Sequence, residues 1–201
     1  MNMQITELNP EQIRQVYAER LTADFPPAEV KPLKRIMQAM SAGKYRCTGL
    51  FDGNRLLAYG FFVILRGTDR TDLLLDYFAV DASHRGQGIG SSFLRMLPEQ
   101  FPAAGTVLIE AETPASAENE AERMQRERRI RFYLRSGCQD SGIETTVFGV
   151  GYRILTLPLH AVLSPEQLPC CYAALYRQIL PEDMFRAQIR IPGISSGSGK
   201  A

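Results

Sequence analysis

Three glycines at alternate positions, Gly86, Gly88 and Gly90, stand between Arg85 and the pair Ser91 and Ser92 in the stretch HRGQGIGSS, residues 84–92. Glycine lets a backbone approach an anion closely. N–H groups at the start of a helix point at such an anion, and the helix dipole adds favourable potential. Arg85 adds a positive charge. The chemistry that suits this pattern is the holding of a phosphate group, and the spacing narrows which one. A dinucleotide fold requires G-x-G-x-x-G, but Ser91 stands where its third glycine belongs. A nucleoside-triphosphate loop requires a lysine after its last glycine, and none follows here. A nucleotide-phosphate enzyme is therefore disfavoured.

A loop of this kind needs a strand before it and a helix after it. The run DLLLDYFAV, residues 72–80, is nearly all apolar in its middle, as in a strand covered on both faces. A helix should then run from Gly88 to Leu97 and stop at Pro98. Upstream, residues 3–8 read as a strand. Asn9 caps a helix to about Leu21, with Pro10 in its first position. A proline-broken connection, FPPAEVKPL at residues 25–33, leads to a second helix that ends near Ala42 with Gly43 as its stop. Strands at residues 45–51 and 55–65 flank DGN, a strong hairpin signal. A turn at residues 67–69 leads to the strand before the loop.

Downstream, residues 106–112 read as a strand and residues 115–136 as a long charged helix stopped by Gly137. Its acidic residues come first and its arginines last, which complements the helix dipole. Glu122–Arg126 and Glu127–Arg131 have ion-pair spacing. The arginines read first as a solvated face, with a phosphate contact as the sharper alternative. Residues 145–159 read as a hairpin, and SPEQ at residues 164–167 as a capping box that opens a last helix to about Leu180. The order implies a mixed α/β fold rather than an alternating doubly wound one.

The 201 residues suit one domain with a small appendage. A net charge of +1 predicts no broad nucleic-acid or membrane footprint. No signal peptide or membrane span is read, so the expected location is cytoplasmic. Cys47, Cys138, Cys170 and Cys171 form no C-x-x-C pair, and neither His84 nor His160 is near them in sequence. The expectation is free thiols and no metal.

The segment DYFAVDASHRGQGIGSSFLRML, residues 76–97, resembles the acyl-CoA-binding motif of the GNAT acetyltransferases. Arg85, Gly88 and Gly90 meet its (Gln/Arg)-x-x-Gly-x-(Gly/Ala) pattern. A second segment, RIRFYLRSGC at residues 129–138, resembles the family's tyrosine helix end, with Tyr133 and Gly137 matched. The two motifs lie in the family's order, separated by one strand, and the resemblance spans residues 3–159. The chain departs from the family at Pro114, where an Asn is common, and at Cys138 and Arg129. Its tyrosine helix is also about two turns longer than usual.

The resemblance implies a central, mostly antiparallel sheet of about seven strands flanked by helices. Residues 1–160 would form the acetyltransferase domain, 161–192 a C-terminal helical extension and 193–201 a flexible tail. It implies acetyl-CoA as cosubstrate. The pyrophosphate would rest on Arg85, Gly86, Gln87, Gly88, Gly90 and Ser91. The pantetheine arm would pair with backbone near Phe78 and Val80, between two strands that splay apart. Tyr133 would sit at the thiol and protonate the departing thiolate. The reaction is acyl transfer to an amine, which must lose a proton to attack, so a carboxylate acting directly or through water is needed.

Three carboxylates are candidates for that base. Asp76 interrupts an apolar strand, where an unpaired charge is costly, and reads equally as a satisfied buried carboxylate. Glu110 and Glu112 alternate with apolar residues and share one face, which reads equally as a solvent-facing stripe. Phe25 and Glu29 lie in the connection where the family builds its acceptor wall. The acceptor is expected to be the amine of a small molecule or a peptide. A catalytically inactive acyl-CoA-binding module is the competing class. The C-terminal helix could equally cover the core or make a homodimer contact.

Overall fold

The computed structural model describes residues 2–27, 29–68 and 70–194. Its strands are β1 (Met3–Glu7), β2 (Tyr45–Asp52), β3 (Arg55–Arg66), β4 (Thr71–Val80), β5 (Ala104–Glu112), β6 (Gln139–Val147), β7 (Val150–Pro158) and the two-residue β8 (Ile189–Arg190). Its helices are α1 (Pro10–Val16), α2 (Thr22–Asp24), α3 (Leu33–Ser41), α4 (Ile89–Gln100), α5 (Glu120–Arg135), α6 (Leu168–Ile179) and α7 (Glu182–Gln188). The strands form one sheet in the order β1-β2-β3-β4-β5-β7-β6-β8, and only β4 and β5 run parallel. This is the expected mixed α/β architecture, with β8 added beside β6. No described helix is long and apolar enough to cross a membrane.

The central strands are apolar on both sides because both sides are covered. Leu73 and Leu75 of β4 pack with Phe93 and Leu97 of α4 and with Ile130 and Tyr133 of α5. Leu74 and Tyr77 face the opposite way and pack with Ile13 of α1, Ile36 of α3 and Leu175 of α6. Fully burying one such side chain contributes about 1.5–3 kcal/mol. The C-terminal helix α6 therefore covers the core, with Tyr172, Ala173 and Leu175 almost inaccessible.

Several element ends differ from expectation. Asn9 caps α1 through a capping box with Gln12, as the sequence predicts. The same helix then widens into a π turn at Tyr17–Leu21 before continuing as α2. Pro98 lies inside α4 rather than ending it. Proline cannot donate to the carbonyl one turn back, but Phe101 N–H still bonds the Leu97 carbonyl at 2.8 Å, so the helix reaches Gln100. The charged helix begins later than predicted, because Pro114–Ser116 form a separate 3-10 turn and Asn119 caps α5 through Glu122 N–H at 2.9 Å. Arg123, not Arg131, pairs with Glu127. The reading of residues 195–201 as a flexible tail, and Asp69 of the predicted turn, lie outside the described residues.

The glycine loop joins two of these layers. Gly86 and Gly88 have φ of 78° and 79°, in the left-handed region where a side chain is strained. Gly90 is required for a different reason. It sits in the first turn of α4, and a β-carbon there would lie 2.9 Å from the Phe132 ring of α5. Gly90→Ala is expected to lower the thermal midpoint by several degrees, for an overpacking cost of about 1–3 kcal/mol. Adding Phe132→Leu should return part of that loss, as differential scanning calorimetry would read.

Candidate active site

The pairing of β4 with β5 ends at Leu75 opposite Ile109. Beyond that point the strands diverge, β4 staying with β3 and β5 staying with β7. The divergence begins at a bulge. The β3 register shifts between Phe61 and Phe62, which pair with Tyr77 and Leu75, so Asp76 is the extra residue. The Asp81 N–H bonds the Leu57 carbonyl at 2.8 Å. By antiparallel alternation, Ala79 then faces β3, while Phe78 and Val80 present their N–H and C=O groups to the open edge. The Val80 carbonyl already accepts from Arg85 Nε at 3.1 Å.

The opening is a cleft of about 1340 Å³. It is lined by every site residue expected from sequence except Gln87, whose side chain folds back to donate to the Ser83 carbonyl at 3.1 Å. At its outer end the backbone N–H groups from Gly86 to Ser91 have no acceptor among the described residues. They form a concave row of donors at a helix start, where an anion fits. A β-carbon at Gly86 or Gly88 would meet nothing within 4 Å, so space lies in front of the loop. The residues present therefore suit a phosphate group. Arg128 and Arg135 of α5 line the same cleft.

The loop is braced from below. Asp81 accepts from Ser83 N–H at 2.9 Å, from His84 Nδ1 at 3.1 Å and from the Arg20 guanidinium. These donors hold its carboxyl well below the usual range, the Ser83 side chain contributing most. Asp24 of α2 accepts from Arg85 at 3.2 Å and from the Tyr59 hydroxyl at 3.1 Å. The π turn supplies Arg20 and α2 supplies Asp24, so the irregular first helix sets the loop's position. The Ser91 hydroxyl pairs with the Ser136 hydroxyl at 2.8 Å, which ties the start of α4 to the end of α5.

The inner end holds the three candidate carboxylates, in different company. One Asp76 oxygen takes the Lys31 ammonium at 2.7 Å and the other takes the Tyr45 hydroxyl. Burial, the largest single influence, pulls the Lys31 ammonium toward neutrality, but the charge and hydrogen bond of Asp76 together with Tyr77 and Glu110 outweigh it and leave Lys31 raised. The two oxygens of Glu112 meet Arg126 at 3.2 Å and Arg129 at 3.0 Å. Both oxygens of each group are thus engaged by donors. Glu112 is paired rather than part of a plain solvent-facing stripe.

Glu110 differs. The Tyr172 and Tyr176 hydroxyls of α6 both donate to its Oε1, the second at 2.6 Å, and among the described residues its Oε2 has no partner. Burial raises the Glu110 pKa, the two phenols lower it, Asp76 raises it and Lys31 lowers it, with a net rise. Tyr133 is buried, and burial pushes its phenol up to about 12 against the opposing charge of Arg129. It therefore stays protonated at neutral pH.

The connection after α2 forms the remaining wall. The Phe25 ring meets Tyr77 edge-on at 5.0 Å. The Tyr77 hydroxyl donates to the Glu29 carbonyl at 2.7 Å and accepts from Lys31 N–H at 2.8 Å. The Glu29 carboxyl is raised, first by burial and then by the charge of Glu112. Lys31, Tyr45, Tyr172 and Tyr176 were not singled out from sequence. The only signal for the last two was their spacing of one helical turn, which core packing produces equally well. Among the described residues no group of His, Cys, Asp and Glu is arranged to hold a metal.

The model of the acetyltransferase (GNAT) family matches residues 11–137. The chain belongs to this family. No curated protein sequence matches it. Among solved structures, a GNAT-family protein from Bacteroides thetaiotaomicron is 20% identical with a TM-score of 0.61, covering 82% of this chain and 90% of that one. The ribosomal-protein-S18-alanine N-acetyltransferase from Escherichia coli is 19% identical with a TM-score of 0.55, covering 81% and 96%. An aminoglycoside 6'-N-acetyltransferase complexed with coenzyme A is 15% identical with a TM-score of 0.57, covering 80% and 99%. These likenesses establish the fold. The family uses acetyl-CoA.

The Lys31–Asp76 pair gives a direct test of how the cleft is held. Lys31→Ala leaves a mostly buried carboxylate with one phenol for company and should cost about 3 kcal/mol in urea unfolding. Because Lys31 is raised above 10.5 in the folded state, its contribution is complete below the unfolded pKa. It is lost as pH climbs through the folded value. Stability of the wild type should therefore fall toward that of the variant at strongly alkaline pH.

Proposed function

We propose that the chain is an acetyl-CoA-dependent N-acetyltransferase for a primary amine of a small molecule or peptide, with Glu110 as the base and Tyr133 as the proton donor. The observation that carries this reading is that Glu110 Oε2, at the point where β4 and β5 part, has no partner among the described residues. Acetyl-CoA supplies an acyl group activated as a thioester. The N–H groups from Gly86 to Ser91 hold its pyrophosphate, and the open edge at Phe78 and Val80 orients its arm toward the inner end of the cleft. Glu110 Oε2 takes a proton from the ammonium, directly or through one water, so that the neutral amine can attack the carbonyl carbon. A β4 N–H facing the splay donates to the carbonyl oxygen as charge builds there. The C–N bond forms and the C–S bond breaks. Tyr133 donates its proton to the departing sulfur and is reprotonated from solvent. Glu110 passes its first proton to solvent, and the surplus proton on the new amide nitrogen then leaves through Glu110 or water.

Both oxygens of Asp76 and of Glu112 already take donors, cations among them, which makes these two carboxylates poorer proton acceptors than Glu110. In this reading they hold Lys31, Arg126 and Arg129 in place around the cleft. Phe25 and Glu29 border the acceptor side. The 161–192 extension acts with the 1–160 domain as one working unit, because α6 reaches Glu110.

Free-thiol release with a panel of primary amines tests the reading. Glu110→Gln should lower kcat by about 10²-fold or more with little change in KM for acetyl-CoA, and Tyr133→Phe should do the same. In the wild type the acid limb of kcat should lie above 4.5, because Glu110 is raised and must be ionised. A full rate in Glu110→Gln on every accepted amine would end this assignment.

A further inference from the structure

The matched family segment ends at residue 137, yet the carboxylate proposed as the base is held by a helix well beyond it. Tyr172 and Tyr176 are one turn apart on α6, their rings edge to face at 5.2 Å, and both hydroxyls reach the same oxygen of Glu110. Residues four apart lie on one helix face, so the geometry of a single turn aims both phenols at one point. Each phenol has one proton, and both are committed to Oε1. Thr145 of β6 lies 3.3 Å from the Tyr172 oxygen, and because that oxygen already donates, Thr145 must be the donor there. The far end of the extension is tied to the same strand, since β8 pairs with Thr146 and Val147. Tyr172 and Tyr176 are both deeply buried, so packing holds their rings.

We propose that Tyr172 and Tyr176 are positioning residues of the acyl-transfer reaction: by occupying Oε1 of Glu110 together, they fix its carboxylate plane and turn Oε2 toward the amine. This rests on the reading of Glu110 as base. A carboxylate in a buried site would otherwise take up a proton or rotate to find a cation; Arg129 lines the same cleft, and Lys31 is near enough for its charge to act on Glu110. Neutral phenols stabilise the ionised form without supplying a positive charge. Glu110 thus stays ionised while remaining a better proton acceptor than one tied to a cation.

The test uses Tyr172→Phe, Tyr176→Phe and the double variant of the full chain, which keep the rings and remove only the hydroxyls. Two readouts are taken: kcat against pH, and titration of the Glu110 carboxyl by difference infrared spectroscopy against Glu110→Gln. Each lost hydroxyl should move both the acid limb and the carboxyl titration upward by about one pH unit, from the strength of a hydrogen bond to a charged group. Below the limb that is about a tenfold loss of kcat, recovered at higher pH with KM for acetyl-CoA unchanged. Thr145→Val, which touches only the Tyr172 hydroxyl, should shift both curves less, in the same direction, and serves if the double variant does not fold. Profiles that superimpose on the wild type, or a fall in kcat equal at every pH, would overturn the proposal. A fully active Glu110→Gln would instead remove the base reading on which it rests, so the two failures are distinguishable.

Discussion

Two parallel strands that separate partway along their length leave backbone donors and acceptors facing an empty wedge, and unsatisfied backbone in a protein interior costs free energy. In this chain β4 and β5 separate after Leu75 and Ile109, and the rest of the molecule is arranged around that wedge. The bulge at Asp76 turns the outer half of β4 toward β3. The glycine loop follows at the mouth, with Gly86 and Gly88 in left-handed conformations that spread its N–H groups outward. Helices α4 and α5 meet behind the loop closely enough that Gly90 admits no side chain. An extended ligand with an anionic end satisfies both sets of groups at once.

The wedge also gathers negative charge. Asp76, Glu110 and Glu112 are the side chains that the diverging strands turn inward, and Glu29 faces them from the opposite wall. Three carboxylates on two neighbouring strands could not stay ionised together without counter-charges. The fold distributes its cations unevenly. Lys31 goes to Asp76, and Arg126 and Arg129 go to Glu112. Among the described residues Glu110 takes hydrogen bonds from phenols alone. That inequality sets one carboxylate of the three apart by its partners, and the proposed base rests on it.

How much of this was legible in the sequence depended on range. The glycine loop was legible because positive φ and close approach demand glycine, and the demand is met within six residues. The strands and their hairpin were legible because apolar runs and Asp-Gly turns are local. Pro98 misled because one proline removes only its own bond to the carbonyl one turn back, and later bonds such as Phe101 N–H to the Leu97 carbonyl carry the helix on to Gln100. The π turn at Tyr17–Leu21 leaves no compositional trace. Lys31 sits in a proline-rich connection where a lysine is unremarkable, and its partner Asp76 lies 45 residues away. Tyr172 and Tyr176 look like any aromatic pair on a buried face. Which of Asp76, Glu110 and Glu112 stays available was therefore a question about tertiary partners, and no pattern along the chain carried the answer.

The central claim is that the wedge between β4 and β5 receives the acyl donor and delivers it to Glu110. A crystal structure of the full chain with bound coenzyme A tests this most directly. The account predicts pyrophosphate oxygens on the N–H groups between Gly86 and Ser91, the arm along the open edge of β4 at Phe78 and Val80, and the sulfur at the inner end, with Tyr133 and the Oε2 of Glu110 on either side. Coenzyme A bound with its sulfur pointing away from Glu110, or bound outside the wedge, would contradict it.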